Sequence, residues 1–317
     1  MSILKGKEKI RTIFMGTPEF SLPYLKALIN DNQFEVVAVY TQPDKLVGRQ
    51  RQLKSPAIKT LAIENNLKVF QPEKIKTETQ NIKQLNPDLI IVVAYGKIIP
   101  QEILDIPQYN CLNVHASLLP KYRGASCLNA PILNGDEKSG LSIMKMEAGL
   151  DTGPILNQVE ISLDKKEILK SLHDKLSTLG ANILIPTIIS WIKGEIKEKR
   201  QDENKASYVE ILKKEDGKLE LTKNAIDLER VIRAFNPWPG TYILLDNDVL
   251  KIVEAEVVIK TNKNHKVGEI FKENNRLLLA CGQNYLDILK LQLSGKKILS
   301  AKEFLNGKPD IVGKIVR

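Results

Sequence analysis

Residues Arg11–Thr41 read RTIFMGTPEFSLPYLKALINDNQFEVVAVYT, and the order of apolar runs in them decides the fold. Arg11 to Met15 is a short apolar strand. Gly16-Thr17-Pro18-Glu19-Phe20 forms a turn, and Ser21 to Asn30 has the residue spacing of a helix. Phe34 to Thr41, rich in valine, is a second strand. Strand, turn, helix, strand is a β-α-β unit, so the two strands are expected to run parallel in one sheet. The turn has one glycine where a dinucleotide site needs G-x-G-x-x-G to let the backbone approach a pyrophosphate. A nicotinamide cofactor is therefore not expected.

Working outward, Lys68 to Gln71 reads as a short strand. Asp88 to Tyr95 (DLIIVVAY) is the nearly continuous apolar run of a parallel strand covered on both faces. It ends at Gly96, before Lys97-Ile98-Ile99-Pro100, and Cys111 to His115 (CLNVH) is the next strand. Ligands of open α/β sheets collect beyond the carboxyl ends of the strands, so Gly16, Tyr95-Gly96 and His115 are expected to share one crevice. Gly140 to Met146 and Ile155 to Ile161 alternate as a strand pair around a Gly-Leu-Asp-Thr-Gly turn that carries Asp151. A helix is expected over 165–193, capped by Ser162-Leu163-Asp164, with Ile168, Leu172, Leu176, Leu179 and Ile183 on one face. His173 lies in it without a partner nearby in sequence and reads as a surface or core histidine.

Gly194 to Lys205 (GEIKEKRQDENK) is almost wholly polar and reads as a linker. Beyond it come a short helix near Ala225 to Ala234 and short alternating segments at 242–245, 249–258, 267–271, 276–280 and 286–293, parted by turn residues. These suggest a small nucleic-acid-binding barrel. The expected fold class is α/β, a Rossmann-like parallel-core sheet domain over 1–193, a linker over 194–208, and an OB-like β-barrel domain over 209–317.

At 317 residues with 43% hydrophobic content, the chain can supply two cores. No apolar run reads as long enough to cross a bilayer, and the opening MSILKGKEKI lacks the apolar stretch of a secretory signal. Three cysteines (Cys111, Cys127, Cys281) without metal-ligand spacing fit a reducing compartment. A cytoplasmic protein without a membrane partner or a bound metal is expected. The net charge of +9 is not parked in a tail: residues 1–208 hold 28 Lys+Arg against 23 Asp+Glu, and residues 209–317 hold 19 against 15. This balance suits a polyanionic partner such as RNA, and equally a lysine-rich surface with no such partner. Gln42 to Lys59 concentrates the charge, with Lys45, Arg49, Arg51, Lys54 and Lys59 against Asp44 alone. Pro43, Gly48 and Pro56 argue against regular structure over much of it. It is either a cationic grip on a phosphate backbone or an ordinary solvated loop.

Asn113, His115 and Asp151 have the chemistry of an acyl-transfer site without a covalent intermediate. An imidazole near neutrality exchanges a proton with an amine, a carboxylate fixes its tautomer and favours its charged form, and an amide donates to a developing oxyanion. Residues 113 and 115 alternate along a strand and so share one face. Ser117 lies close to His115 but outside any G-x-S-x-G elbow, Cys111 has no basic neighbour that argues for a thiolate, and Arg123, four positions before Cys127, argues only weakly for one there. Three such residues also recur by chance in unrelated chains.

The stretch NVHASLLPKYRGA (113–125) followed by GLDTG (149–153) resembles the folate-dependent formyltransferases, which use 10-formyltetrahydrofolate. The likeness runs nearly end to end through FMGTPEF (14–20), TQPD (41–44), VVAYG (92–96), RAFNPWPG (233–240) and LQLSGKK (291–297). It implies that Asn113, His115 and Asp151 are catalytic and that Ser117, Leu118, Leu119 and Pro120 bind the folate co-substrate. Tyr95, Gly96 and Ile98 would line the pterin pocket, partly through their backbone. Within the family the chain is most similar to the members that formylate methionyl-initiator tRNA. In those, a loop at the position of Lys45, Arg49, Arg51 and Lys54 enters the acceptor stem, with Arg49 as its key cation. For this chain a monomer is expected. Relatives that formylate amino-sugar nucleotides or hydrolyse the folate share much of the layout, and a non-catalytic RNA-binding protein is the reading from another class. The sequence departs from the tRNA-directed pattern at Cys127, where proline is usual, at Asn129, where glutamine is common, and at Glu147-Ala148.

Overall fold

The computed structural model describes residues 9–47, 52–246, 248–259 and 265–317, so Arg49 and Arg51 lie outside the described residues. The chain forms two compact units. One comprises Met1–Cys127, Ser139–Ile161 and His173–Glu210, and the other Leu128–Lys138, Ser162–Leu172 and Ile211–Arg317. Chain order alone suggested boundaries at 193 and 209, whereas two earlier excursions of the chain group with the second unit. The polar stretch that reads as a linker groups with the first.

In the first unit the strands are β1 (Ile10–Gly16), β2 (Phe34–Tyr40), β3 (Lys45–Val47), β4 (Gln52–Lys54), β5 (Val69–Phe70), β6 (Leu89–Val93), β7 (Cys111–His115), β8 (Arg123–Gly124), β9 (Lys138–Lys145), β10 (Ile155–Ser162) and β11 (Tyr208–Val209). Seven of them make one sheet in the order β10-β9-β7-β6-β1-β2-β5. The pairs β5/β2, β2/β1, β1/β6 and β6/β7 are parallel, and β9 lies antiparallel to β7. All five residues of β6 are buried, as its unbroken apolar run requires of a strand covered on both faces. The chain leaves β1 in one direction for β2 and returns on its other side as β6, which opens a crevice at the strand ends. Thr17 and Tyr95 close on each other there, Thr17 Oγ1 donating to the Tyr95 carbonyl at 3.0 Å.

The helix Leu169–Ile192 starts four residues later than the sequence suggests. Asp164 accepts from the Lys166 backbone N–H at 2.7 Å, and that local turn competes with the first helical turn. By length and composition alone this helix could cross a membrane, contrary to the expectation from the bare sequence. Here it is tied into the first unit instead. Ser177 Oγ donates to the Phe20 carbonyl at 2.7 Å and Trp191 Nε1 to the Tyr109 carbonyl at 3.0 Å, while Leu176, Leu184 and Ile188 are buried.

The second unit is an antiparallel sheet of β12 (Thr241–Leu245), β13 (Asp248–Val258), β14 (Ile270–Glu273), β15 (Arg276–Ala280), β16 (Tyr285–Leu293) and β17 (Leu299–Ser300). Its order is β12-β13-β16-β15-β14, with β17 beside β16. The C-terminal residues join the two edges. Ile270 N–H donates to the Lys314 carbonyl at 2.9 Å, and Leu244 and Arg317 exchange backbone bonds of 2.6 and 3.1 Å. Closure satisfies the edge N–H and C=O groups and makes the sheet a barrel. Its core holds Ile243, Leu250, Ile252, Leu279 and Leu286. The helix Ala225–Ala234, capped by Asn224 Oδ1 accepting from Ile226 N–H, buries Ala225, Leu228 and Ile232 at helical spacing.

Candidate active site

β7 delivers the first two side chains. Its residues are all buried, and its register sets Asn113 beside Val92 of β6 on one side and Met144 of β9 on the other. Strand alternation turns Asn113 and His115 to the same face. The third side chain comes from the 146–154 turn between β9 and β10. Asp151 has a left-handed backbone (φ 53°), and Gly153 passes so close to Lys145 that a Cβ there would lie 1.8 Å from its carbonyl oxygen. Only glycine permits that approach.

The three side chains meet. Asn113 Nδ2 donates to Asp151 Oδ1 at 3.3 Å, and His115 Nδ1 lies 3.5 Å from Asp151 Oδ2. Asp151 Oδ2 also accepts from the Gly124 backbone N–H at 2.8 Å, and His115 Nε2 lies 2.8 Å from the Tyr122 carbonyl. Both ring nitrogens therefore face oxygen acceptors. A neutral imidazole has one N–H and would leave a lone pair aimed at one of them; an imidazolium satisfies both. Burial by itself pushes the His115 pKa down. The contacts with the Cys127 side chain, the Asp151 carboxylate and the Tyr122 carbonyl outweigh it and raise the pKa from 6.5 to about 9. The ring is 6% exposed with both nitrogens engaged within the protein, an arrangement that favours its cationic form.

The Ser117–Pro120 loop leaves the end of β7 and is pinned by its own polar groups. Ser117 Oγ donates to the Lys121 carbonyl at 2.6 Å, and Ser142 Oγ donates to the Ser117 carbonyl and accepts from Leu119 N–H. Gln158 Nε2 donates to the Leu119 carbonyl at 3.0 Å. Leu119 packs with Met144 and Ile155, while Leu118 and Pro120 stay partly exposed. At the end of β6 the Tyr95 ring sits in the core with Ile82, Ile90 and Ile103, and its buried hydroxyl has no hydrogen-bond partner among the described residues. Only the Tyr95 backbone is left to face a ligand, and Gln42 Nε2 already donates to its carbonyl and to that of Gly96. Ile98 is 87% exposed. Among the described residues no cluster of three His, Cys, Asp or Glu side chains could hold a metal.

The family model described as formyl transferase matches residues 8–188, and that of the formyl transferase C-terminal domain matches residues 211–309. A relative from Caldanaerobacter subterraneus subsp. tengcongensis, named methionyl-tRNA formyltransferase, is 42% identical over 301 residues, covering 94% of this chain and 97% of its own length. The chain belongs to the methionyl-tRNA formyltransferase family. A second member of that family, from Thermodesulfovibrio yellowstonii, is 44% identical over 298 residues, covering 93% of this chain and 95% of its own. Among solved structures the chain is similar in fold to WlaRD, a sugar 3N-formyl transferase. The TM-score is 0.64 at 20% identity, covering 92% of this chain and all of that one.

The basic connection is more regular than its prolines suggest. β3 and β4 pair antiparallel and set Lys45 directly opposite Lys54 and Leu46 opposite Leu53, with both leucines more than half exposed. Like charges placed opposite each other repel, and a polyanion between them would relieve that. Lys59 is withdrawn from this set by a 2.7 Å ion pair with Asp44, whose carboxyl is held below its usual range by hydrogen bonds from Gln71 and Lys59. A cavity of about 710 Å³ lies under the hairpin, lined by Thr17, Pro18, Gln42, Lys45, Lys54 and His173 among others. Asn113, His115 and Asp151 are not among its lining residues, so this cavity is distinct from the place where those three side chains meet. Sequence reasoning missed Tyr122, Arg123, Gly124 and Gln201, which contact the site through backbone groups or through one another. For Tyr122, Arg123 and Gly124 the trace in the sequence was the Tyr-Arg-Gly near the end of the 113–125 stretch, and Gln201 left none.

Proposed function

We propose that the protein transfers the formyl group of 10-formyltetrahydrofolate to the α-amino group of methionyl-initiator tRNA by direct attack, without a covalent enzyme intermediate. The observation that carries this reading is an amide, an imidazole and a carboxylate within 3.5 Å of one another at the end of β7. The co-substrate supplies the activated formyl carbon. Asn113 has a second amide N–H beyond the one bonded to Asp151, and gives it to the carbonyl oxygen as charge grows there. His115, held as a cation, stabilises the same oxygen and turns its Nε2–H from Tyr122 toward it. Asp151 takes the proton of the attacking amine through Oδ1, its less tightly held oxygen. The new C–N bond forms as the bond to the folate nitrogen breaks, and the proton passes to that leaving nitrogen.

Ser117, Leu118, Leu119 and Pro120, with Ile98 and the backbone of Tyr95-Gly96, are assigned to the folate. The exposed aliphatic surface of Ile98 and the Leu118–Pro120 edge suit the flat pterin, and the pinned loop is rigid enough to orient it. Lys45 and Lys54, with Arg49 and Arg51, are assigned to the phosphates of the acceptor stem. Residues 209–317 are assigned as a tRNA-binding barrel domain after the catalytic domain, and the protein is taken to act as a monomer in the cytoplasm. Incubation with carbonyl-labelled 10-formyltetrahydrofolate tests the reading. Label is expected on charged initiator tRNA, with none on an amino-sugar nucleotide and little released as formate. Label on the sugar alone, or formate alone, would overturn it.

A further inference from the structure

The stretch 198–209, polar enough to read as a linker, is laid along the site. Glu198 accepts from Lys145 Nζ at 2.6 Å, Lys199 exchanges two 2.9 Å backbone bonds with Ile155, and Arg200 lies 3.6 Å from Glu147. Gln201 reaches furthest in. Its Nε2 donates to the Asp151 carbonyl at 2.8 Å and the Gly153 carbonyl at 2.7 Å. Four consecutive residues thus hold the turn that carries Asp151, two at the strand residues flanking it and two within it, and the last holds the backbone of Asp151 itself.

The orientation of that amide is fixed from behind by Arg123, which is fully buried. A guanidinium has five N–H donors, and all five are used here. Nε and Nη2 donate to Gln201 Oε1 at 3.1 and 2.9 Å, Nη1 and Nη2 to the two Glu203 oxygens at 2.8 and 2.7 Å, and Nη1 to Tyr208 Oη at 2.8 Å. With Oε1 committed to two cationic donors, the NH₂ of Gln201 can only face the turn. The neighbours of Arg123 serve the site directly: the Gly124 N–H binds Asp151 and the Tyr122 carbonyl binds His115. Residues 122–124 are in turn held by Ser207. Tyr122 N–H donates to its hydroxyl at 2.9 Å and Arg123 N–H to its carbonyl at 2.8 Å, and β8 pairs parallel with β11.

We infer that Gln201 is a positioning residue for the formyl transfer: locked by the Arg123–Glu203 pair, its amide holds the left-handed backbone of Asp151 so that the carboxylate bridges Asn113 and His115. This rests on the reading of those three as the reacting set. A left-handed aspartate is not self-sustaining, because outside glycine that backbone is disfavoured and persists only where surrounding bonds determine it. Displacing a reacting group by about 1 Å costs up to 100-fold in rate.

Two variants separate positioning from simple structural support. Gln201→Met removes every bond of the amide. Gln201→Glu keeps two oxygen acceptors for Arg123 but loses the donors to the Asp151 and Gly153 carbonyls. Both are expected to lower kcat by about 10- to 100-fold, with KM for the folate unchanged within twofold. The His115 midpoint, followed by NMR in Gln201→Met, is expected to fall as the carboxylate moves off the ring. If Gln201→Glu restores wild-type kcat, the residue matters only as a partner of Arg123, and the inference is overturned. A folded Gln201→Met with an unchanged kcat and His115 midpoint also overturns it. Asp151→Asn is run alongside. If that variant keeps full activity, the site assignment itself has failed, whereas loss of activity in Asp151→Asn with retention in both Gln201 variants refutes only the role of Gln201.

Discussion

Two polar stretches of the first unit, 45–54 and 198–209, look alike in the sequence and behave in opposite ways. Both are rich in charge, and neither has an apolar period. In the first, β3 and β4 pair antiparallel so that Lys45 and Lys54 stand opposite each other on an exposed surface. The second is drawn onto the protein because Arg123, wholly buried, takes up Gln201, Glu203 and Tyr208. Polarity alone therefore does not say whether a segment is solvated. What decides is whether the fold buries an unsatisfied group that the segment can reach, since a buried charge without partners is far costlier than an ordered loop. The consequence is a division of labour. A preorganised clamp suits chemistry, where small displacements are costly, and an exposed cationic surface suits a phosphate backbone.

Substitutions can break or sharpen this contrast. The largest effect is expected where the clamp ends. Asp151→Asn keeps the shape of the turn but removes the carboxylate, and kcat is expected to fall roughly 100- to 10,000-fold in a single-turnover formylation assay. Arg123→Met should come next. It leaves the Gln201 oxygen without its donors and is expected to cost about 1–3 kcal/mol of stability, read from the urea midpoint, together with a loss in kcat.

The pH dependence follows from His115. Its folded pKa, about 9, lies above the 6.5 of a free imidazole, so the folded state holds the proton more tightly. The stability this contributes is fully present below pH 6.5 and is lost as pH rises through about 9. Urea midpoints measured across that window should decline, and they should decline less in Asp151→Asn. The smallest structural effect belongs to the hairpin. Lys54→Ala should leave stability within about 0.5 kcal/mol, because the side chain is exposed and makes no ion pair among the described residues. It should instead weaken tRNA binding and reduce the slope of log affinity against log salt by about 1. If Lys54→Ala lowered kcat without touching tRNA affinity, the contrast between the two stretches would be wrong.

The alternation of CLNVH and the unbroken apolar run of DLIIVVAY already placed β7 and β6 and turned Asn113 and His115 to one face, because strand periodicity is written in neighbouring residues. The GLDTG turn could be recognised for a similarly local reason, since Gly149 meets Thr152 and Gly153 meets Lys145 within one short hairpin. The start of the helix at Leu169 could not, because the Asp164 side chain competes with the first turn. Nor could the withdrawal of Lys59 by Asp44, nor the burial of the Tyr95 ring, since each depends on what comes to lie beside it.

By itself the sequence determined the parallel sheet, the barrel that follows it and the side chains held at the end of β7, through local periods and spacings. Only the tertiary structure decided that Arg123 would be buried, that Gln201 would reach Asp151 across 50 residues of chain, and that the polar stretch would close on the site. A buried donor must find its acceptor wherever the chain happens to bring one, and no interval between residues records that meeting in advance.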